Sequence, residues 1–178
     1  VGPGMYQVTF TPTADTHYMA HASFRLGGRD LEDMRHIVSA SGLVVKPKLA
    51  LDLEAKVVRG LRVALTPPAE IRVNERALFR IKVEDPSSGR AVRDLQSLRG
   101  AGADVVTASA DLRSLMHMDA LPGVPRQGNM SQVPAPTLPF GPTLGFTQTF
   151  GEPGLHKVWV QIKHDGQVLT APFTVQVK

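Results

Sequence analysis

The chain has 178 residues, of which 42% are hydrophobic and 20% charged, with a formal net charge of +4 and no cysteine. This length suits one ordinary domain, or one domain plus a fragment, with a real hydrophobic core. The lack of cysteine excludes disulfides and thiolate metal sites. No apolar run approaches the ~18–20 residues of a membrane span, and the cations are scattered rather than interleaved with aromatic residues, so we expect neither a membrane span nor a nucleic-acid site.

The first 28 residues are predicted to form a β-hairpin. Polar and apolar side chains alternate from Tyr6 to Thr11 and again from His17 to Leu26, where Gly27 and Gly28 end the second run. Alternation of period two followed by a glycine pair is typical of paired strands. The next segment, residues 29–48, is interpreted as a linker. It contains a possible short helix at Arg29–Ile37, since apolar residues recur there at a spacing of three.

An internal repeat gives the N-terminal hairpin a specific interpretation. Pro3–Val8 matches Pro153–Val158, and Ala22–Leu26 matches Ala171–Val175. The second copy is the hairpin that closes a sandwich, so residues 1–28 are interpreted as the closing hairpin of an incomplete module of the same kind. A lone hairpin is marginally stable in water. We therefore expect a protein partner, or the missing strands, to pack on this hairpin.

Residues 49–178 are predicted to be an antiparallel β-sandwich of about seven strands. Short alternating runs are separated by frequent turn signals such as the sequence from Asp85 to Gly89. The segment 121–142 is rich in proline and lacks any period, so it is predicted to be a long surface loop. The predicted strands cover residues 49–57, 59–66, 78–83, 105–110, 112–118, 155–163 and 168–177.

Several short segments of this region form a pattern when taken together. They are Leu49-x-Leu51-x-Leu53, Glu84-Asp85-x-x-Ser88-Gly89, Val92–Leu95, Gly100-Ala101, Val105–Leu112, Leu115–His117, Pro153–Gln161 and Thr170–Val175. As a set they resemble a bacterial extracytoplasmic immunoglobulin-like domain that is often associated with heavy-metal (copper) handling proteins. The resemblance implies an all-β, immunoglobulin-like sandwich and a location in the periplasm or at the cell surface. Metal association follows only by analogy.

The chain departs from the family pattern where a metal site is suggested. The family commonly has a histidine after the Gly-Ala segment and a His-x-His-Pro after the middle strand. This chain has Asp104 at the first place and His117-Met118-Asp119-Ala120 at the second. We expect such a site to have lost its metal or to have changed its preference. Asp104, His117 and Asp119 are interpreted as a carboxylate–imidazole set at the end of the sandwich, which suits Zn or Mn better than Cu(I). The alternative is that His117 is a structural histidine.

Two groups of histidine and methionine suggest copper. His17, Met19 and His21 lie at i, i+2 and i+4, which places them on one face of a strand, and the repeat predicts that this face points outward. Two imidazoles and a thioether suit copper. The same residues also fit an exposed polar strand face or a partner surface. In the second group, Met116 and Met118 should face one way and His117 the other.

Catalytic signatures are missing from the sequence. It contains no Gly-x-Ser-x-Gly, His-Glu-x-x-His or phosphate-loop motif. The sequence therefore predicts a non-enzymatic extracytoplasmic binding module whose most plausible small ligand is copper or another transition metal. The alternative is a structural or adhesive protein–protein interaction domain of a larger assembly without a metal.

Overall fold

The computed structural model describes residues 5, 7, 9–11, 18–27, 29–37, 48–123 and 139–178. The chain divides into two compact units, residues 1–46 and 47–178. Among the described residues, no helix is long and apolar enough to cross a membrane.

In the described part of the first unit, β1 (Tyr18–Leu26) and β2 (Arg29–Ile37) form an antiparallel hairpin. Leu26 pairs with Arg29, so the loop has two residues, and Gly27 adopts φ +56°. Such loops favour positive φ, which glycine adopts without steric cost. The short helix predicted for residues 29–37 is therefore wrong, because the glycine pair directs the chain into a second strand. Of the predicted first strand, residues 9–11 are described and lie outside any strand.

Burial in the first unit also differs from the prediction. The repeat predicts that Ala20 and Ala22 face a core, yet both are exposed, while Met19 is half-buried. Phe10 is 47% exposed and packs edge-on against Tyr18 at 5.7 Å between ring centroids. Strand pattern alone does not fix which face is covered, because burial depends on what packs against the hairpin. The interpretation of residues 1–28 as part of an incomplete module stays a prediction.

The second unit is all-β and antiparallel, as predicted. Its described residues form eight strands: β3 (Lys56–Val58), β4 (Leu61–Thr66), β5 (Arg76–Glu84), β6 (Ala103–Ser109), β7 (Leu115–Pro122), β8 (Thr143–Thr149), β9 (Gly154–His164) and β10 (Gln167–Val177).

The strands form two layers, and β7 connects them because it pairs with β6 in one layer and with β8 in the other. The hydrogen-bonded order is β10-β9-β6-β7-β8-β5-β4-β3, and β7 leaves β6 to pair with β8 only at Leu121 and Pro122. One layer thus holds β3, β4, β5 and β8, and the other holds β7, β6, β9 and β10. Adjacent β5 and β8 correspond to strands B and E of the immunoglobulin fold, and β6, β9 and β10 to strands C, F and G. The predicted immunoglobulin-like sandwich is confirmed.

Aromatic side chains fill the space between the layers. The rings of Phe79 and Phe146 stack at 4.7 Å, and Phe150 packs edge-on against Phe79 at 6.2 Å. All three are almost fully buried, and so is His156, which packs against Phe150 at 4.8 Å. Burying each of these phenylalanines contributes about 1.5–3 kcal/mol. The alternation seen in the sequence thus produces one continuous core.

Two strand predictions in this unit are wrong. The strand predicted for residues 49–57 is reduced to β3, and Leu51 and Leu53 are 60% and 36% exposed. The segment is held instead by an isolated bridge between Asp52 and Thr174 before it reaches β4, so alternation there does not reflect a buried face. The sequence reading also missed β8, which directly follows the proline-rich segment. Within that segment, residues 124–138 lie outside the described residues.

Candidate metal site on the outer sheet face

The candidate site lies on the outer face of β6 and β7. Asp104 pairs with Asp119, and Val106 pairs with His117. Paired residues of antiparallel strands point to the same side of the sheet. Val105, between Asp104 and Val106, belongs to the core, so Asp104, His117 and Asp119 point away from it. The structure brings together the three residues that the sequence singled out as a carboxylate–imidazole set.

Asp104 is buried although it lies on an outer face. It is 2% exposed, whereas His117 is half-buried and Asp119 exposed. Its Oδ2 accepts a short hydrogen bond from Nη2 of Arg99, and its Oδ1 lies against Nε2 of His117. A buried carboxylate carries a large desolvation penalty unless charges and donors compensate it. Arg99 provides that compensation at one oxygen.

The other oxygen of Asp104 is incompletely satisfied. His117 Nε2 lies against Oδ1, but the contact does not have the geometry of a hydrogen bond, and this buried oxygen has no hydrogen-bond partner among the described residues. Buried oxygens without a partner are rare in folded proteins and call for an explanation. A cation between the carboxylate and the imidazole would satisfy Oδ1.

A tight turn holds Arg99 in place. Leu98 and Ala101 exchange two backbone hydrogen bonds, of 2.9 and 3.0 Å. The two residues between them, Arg99 and Gly100, have φ of +52° and +97°. Positive φ at both central residues is the signature of a type I′ turn, where arginine is an unfavourable residue. The chain therefore accepts local backbone strain at the residue that reaches Asp104.

The three side chains are close enough for one metal ion. One donor atom from each of Asp104, His117 and Asp119 lies within 4.8 Å of the others. In zinc sites, N and O ligands lie about 2.0–2.2 Å from the ion. Two donors of a tetrahedral ion are thus about 3.4 Å apart, so side-chain movements suffice to form the site. Two carboxylates and an imidazole suit Zn²⁺ or Mn²⁺ and leave positions open for water or a further ligand.

The methionines beside His117 do not join this site. Met118 and Met116 pair with Val105 and Thr107, on the inner face of the sheet. Met118 packs against the core, and Sδ of Met116 lies 3.6 Å from Nε2 of Gln148. They thus lie on the opposite face of β7 from His117, as the alternation predicts.

The N-terminal histidine–methionine group is only partly described. His17 and the side chain of His21 lie outside the described residues, and Met19 is half-buried in β1. The outward face that the repeat predicted for Met19 is not the exposed one, since Ala20 and Ala22 are exposed instead. Copper binding at this group stays a prediction.

Sequence reasoning missed Arg99. The pair Arg99-Gly100 lies between apolar Leu98 and Ala101, which is the spacing of a two-residue turn. That signal predicts a turn but does not predict what its side chain touches. The contact becomes visible only when β6 and β7 lie side by side.

Comparison with known proteins identifies a family but no function. Residues 55–178 match the family model described as a domain of unknown function, DUF8832, so the chain belongs to that family. No curated protein resembles the chain closely enough to count as a match. Among solved structures, the chain is similar to the CARDB domain of the PF1109 protein from Pyrococcus furiosus, in complex with di-metal ions. The similarity covers 74% of this chain and 95% of that chain, at 15% identity and a TM-score of 0.33.

Proposed function

We propose that this DUF8832 domain is a non-enzymatic binding module that holds one divalent transition metal ion through Asp104, His117 and Asp119. The observation that carries the proposal is Oδ1 of Asp104, a buried carboxylate oxygen without a hydrogen-bond partner that faces the Nε2 of His117. A metal ion bound by both atoms, with the two side chains moved apart, would compensate Oδ1, the oxygen that Arg99 does not contact. The module would act outside the cytoplasm, in the periplasm or at the cell surface.

The donor types favour Zn²⁺ or Mn²⁺ over copper. Carboxylates are hard ligands, and imidazole is a ligand for zinc, copper, iron and nickel alike. Cu(I) prefers thiolates and thioethers, and the thioethers of Met116 and Met118 face the other side of β7. We therefore expect Zn²⁺ or Mn²⁺, rather than copper, at this site. Copper remains a prediction for the group around Met19.

Metal titration of the purified chain tests the proposal. We expect Zn²⁺ or Mn²⁺ to bind at one equivalent by calorimetry, and the Asp104→Asn and His117→Ala variants to lose at least tenfold in affinity. The matched control is His164→Ala, because His164 is also partly exposed and lies near a carboxylate, with Nε2 3.3 Å from Asp94. Equal binding by all four proteins would contradict the proposal. Tight copper binding that is lost on replacing His21 would favour the N-terminal group instead.

Trp159 offers an independent optical signal. It is the single tryptophan of the chain, and Val106 is the Cα partner of both Trp159 and His117. The indole therefore lies on the same sheet face, two strands from His117. Co²⁺ or Cu²⁺ at the site would quench its fluorescence in the unaltered protein and in His164→Ala, but far less in His117→Ala.

A second candidate is a structural or adhesive domain that acts through protein contacts. It is favoured by an apolar edge at Leu51, Leu53 and Val57, which are 60%, 36% and 62% exposed. Exposed apolar side chains grouped on one segment are typical of contact surfaces. If the unaltered protein binds none of the metals above non-specific levels, this candidate becomes the preferred one.

A further inference from the structure

Arg99 contacts two of the three residues proposed as metal ligands through a single nitrogen. Its Nη2 contacts Oδ2 of Asp104 and lies 3.0 Å from Nε2 of His117. A positively charged group thus already lies against both the buried carboxylate and the imidazole. This is the region in which a bound metal ion would be held.

The contact with His117 defines which partner donates. A guanidinium has N–H donors and no acceptor, and it stays protonated in proteins. A hydrogen bond between Nη2 and Nε2 therefore requires Nε2 to accept, which means that its lone pair is turned toward Arg99. A metal ion needs the same lone pair, so Arg99 and a metal ion exclude each other at this atom.

Arg99 is the member of the cluster that is able to leave. Its side chain is 42% exposed, against 3% for that of Asp104. It extends from a two-residue turn rather than from the body of a strand, so a change in its side-chain torsions carries the guanidinium into water. Asp104, in the middle of the sheet face, has no such exit.

We propose that Arg99 is an internal cation that closes the site when no metal is bound and swings outward when the metal enters. This inference rests on the proposed function. The site would then select ions that bind strongly enough to displace a guanidinium, and weakly held ions would be excluded. Release of Arg99 would also expose a new positive group beside the site whenever the metal is bound.

The test compares Zn²⁺ affinities of variants at Arg99. We expect Arg99→Gln to bind Zn²⁺ at least tenfold more tightly than the unaltered protein, because no cation must be displaced, and Arg99→Lys to fall between them. The control is Arg113→Ala, which removes the same charge from an arginine that is 80% exposed and pairs with Asp111. It should leave the affinity unchanged. Repeating the titrations in 0.5 M salt, where the Debye length is only a few ångströms, separates displacement from long-range repulsion, since only the former persists.

The outcomes separate this inference from the proposed function. Stoichiometric Zn²⁺ binding by the unaltered protein with equal or weaker binding by Arg99→Gln would overturn the role of Arg99 and leave the metal site standing. If none of the proteins binds Zn²⁺, the proposed function fails and the inference fails with it. If Arg99→Gln does not fold, Arg99→Lys and the NMR signal of the Arg99 Nε–H provide the test. That signal should move on saturation with Zn²⁺, and an unchanged signal would overturn the inference.

Discussion

The second unit buries two groups of opposite chemistry to a similar extent. Phe79 lies between the two layers and is 0% exposed, while Asp104 lies on an outer sheet face and is 2% exposed. Burial of the phenyl ring is favourable by itself. Burial of a carboxylate is unfavourable until other groups compensate its charge. The difference indicates that the aromatic core holds the fold together, whereas the Asp104 cluster is maintained at a cost in stability, as is typical of functional sites.

Removing the aromatic contact should have the largest effect on stability. Phe79→Ala deletes a ring that stacks on Phe146 and touches Phe150, and it leaves a cavity in a close-packed interior. We expect the free energy of unfolding, measured by urea denaturation, to fall by about 3–5 kcal/mol. Leu78→Ala is the control, because Leu78 directly precedes Phe79 in β5, points to the outer face of the sheet and is only half-buried. A loss no larger than that of the control would contradict the core described above.

Removing one member of the Asp104 cluster should have a smaller but coupled effect. Without metal, Arg99→Ala leaves the buried carboxylate with its charge uncompensated at Oδ2. We expect a loss of about 1–3 kcal/mol, below the range for fully buried pairs because Arg99 is partly exposed. In an Asp104→Asn background the same change should be nearly neutral, because the buried charge is gone.

The double-mutant cycle is what distinguishes this cluster from the aromatic core. Arg113→Ala, at an exposed pair with Asp111, should change stability by less than about 1 kcal/mol. If the losses from Arg99→Ala and Asp104→Asn simply add, the two side chains do not interact in solution and the contact described here is absent.

The sequence predicts the parts of this fold that alternation controls. The β9–β10 hairpin was predicted within a residue or so of its observed ends, because strict alternation surrounds the Asp165-Gly166 turn. The opposite directions of Met116 and His117 follow from the same rule. Asp104 lies just outside the strand predicted from residue 105, and alternation cannot indicate that Arg99, in the turn between Leu98 and Ala101, contacts it. The burial of Asp104 is therefore a property of the tertiary structure.

Other elements could not be predicted because local signals conflicted. β8 contains apolar Leu144 and Phe146 in phase with polar Gln148, and all three side chains point inward. Gln148 is tolerated there because its Nε2 donates to Oγ1 of Thr107 at 2.7 Å, a contact between residues far apart in sequence. In the first unit, a spacing of three predicted a helix where the glycine pair produced a hairpin. Both errors arise where a pattern of period two or three was interpreted without its long-range partner.

The smallest expected effect concerns the carboxylate of Asp85, which is only half-buried and, unlike that of Asp104, accepts four hydrogen bonds at one oxygen. Oδ1 of Asp85 accepts from the backbone N–H groups of Ser87 and Ser88, at 2.9 and 2.8 Å, and from both hydroxyls, at 2.6 and 2.9 Å. These four donors hold the pKa of Asp85 far below its ordinary value of 3.8, with the Ser87 hydroxyl as the largest cause. A carboxyl whose pKa is lowered by folding stabilises the native state above its unfolded pKa, and this contribution disappears as the pH falls.

We therefore expect Asp85→Asn to reduce the free energy of unfolding at pH 6, and the difference from the unaltered protein to shrink steadily below about pH 4. Urea denaturation at several pH values measures this. The control is Glu75→Gln, which removes an exposed carboxylate and should change the free energy of unfolding by no more than about 0.5 kcal/mol, as is usual for a surface substitution. A difference that stays constant from pH 6 to pH 2 would mean that the serine donors stabilise the turn through its shape rather than through the charge of Asp85.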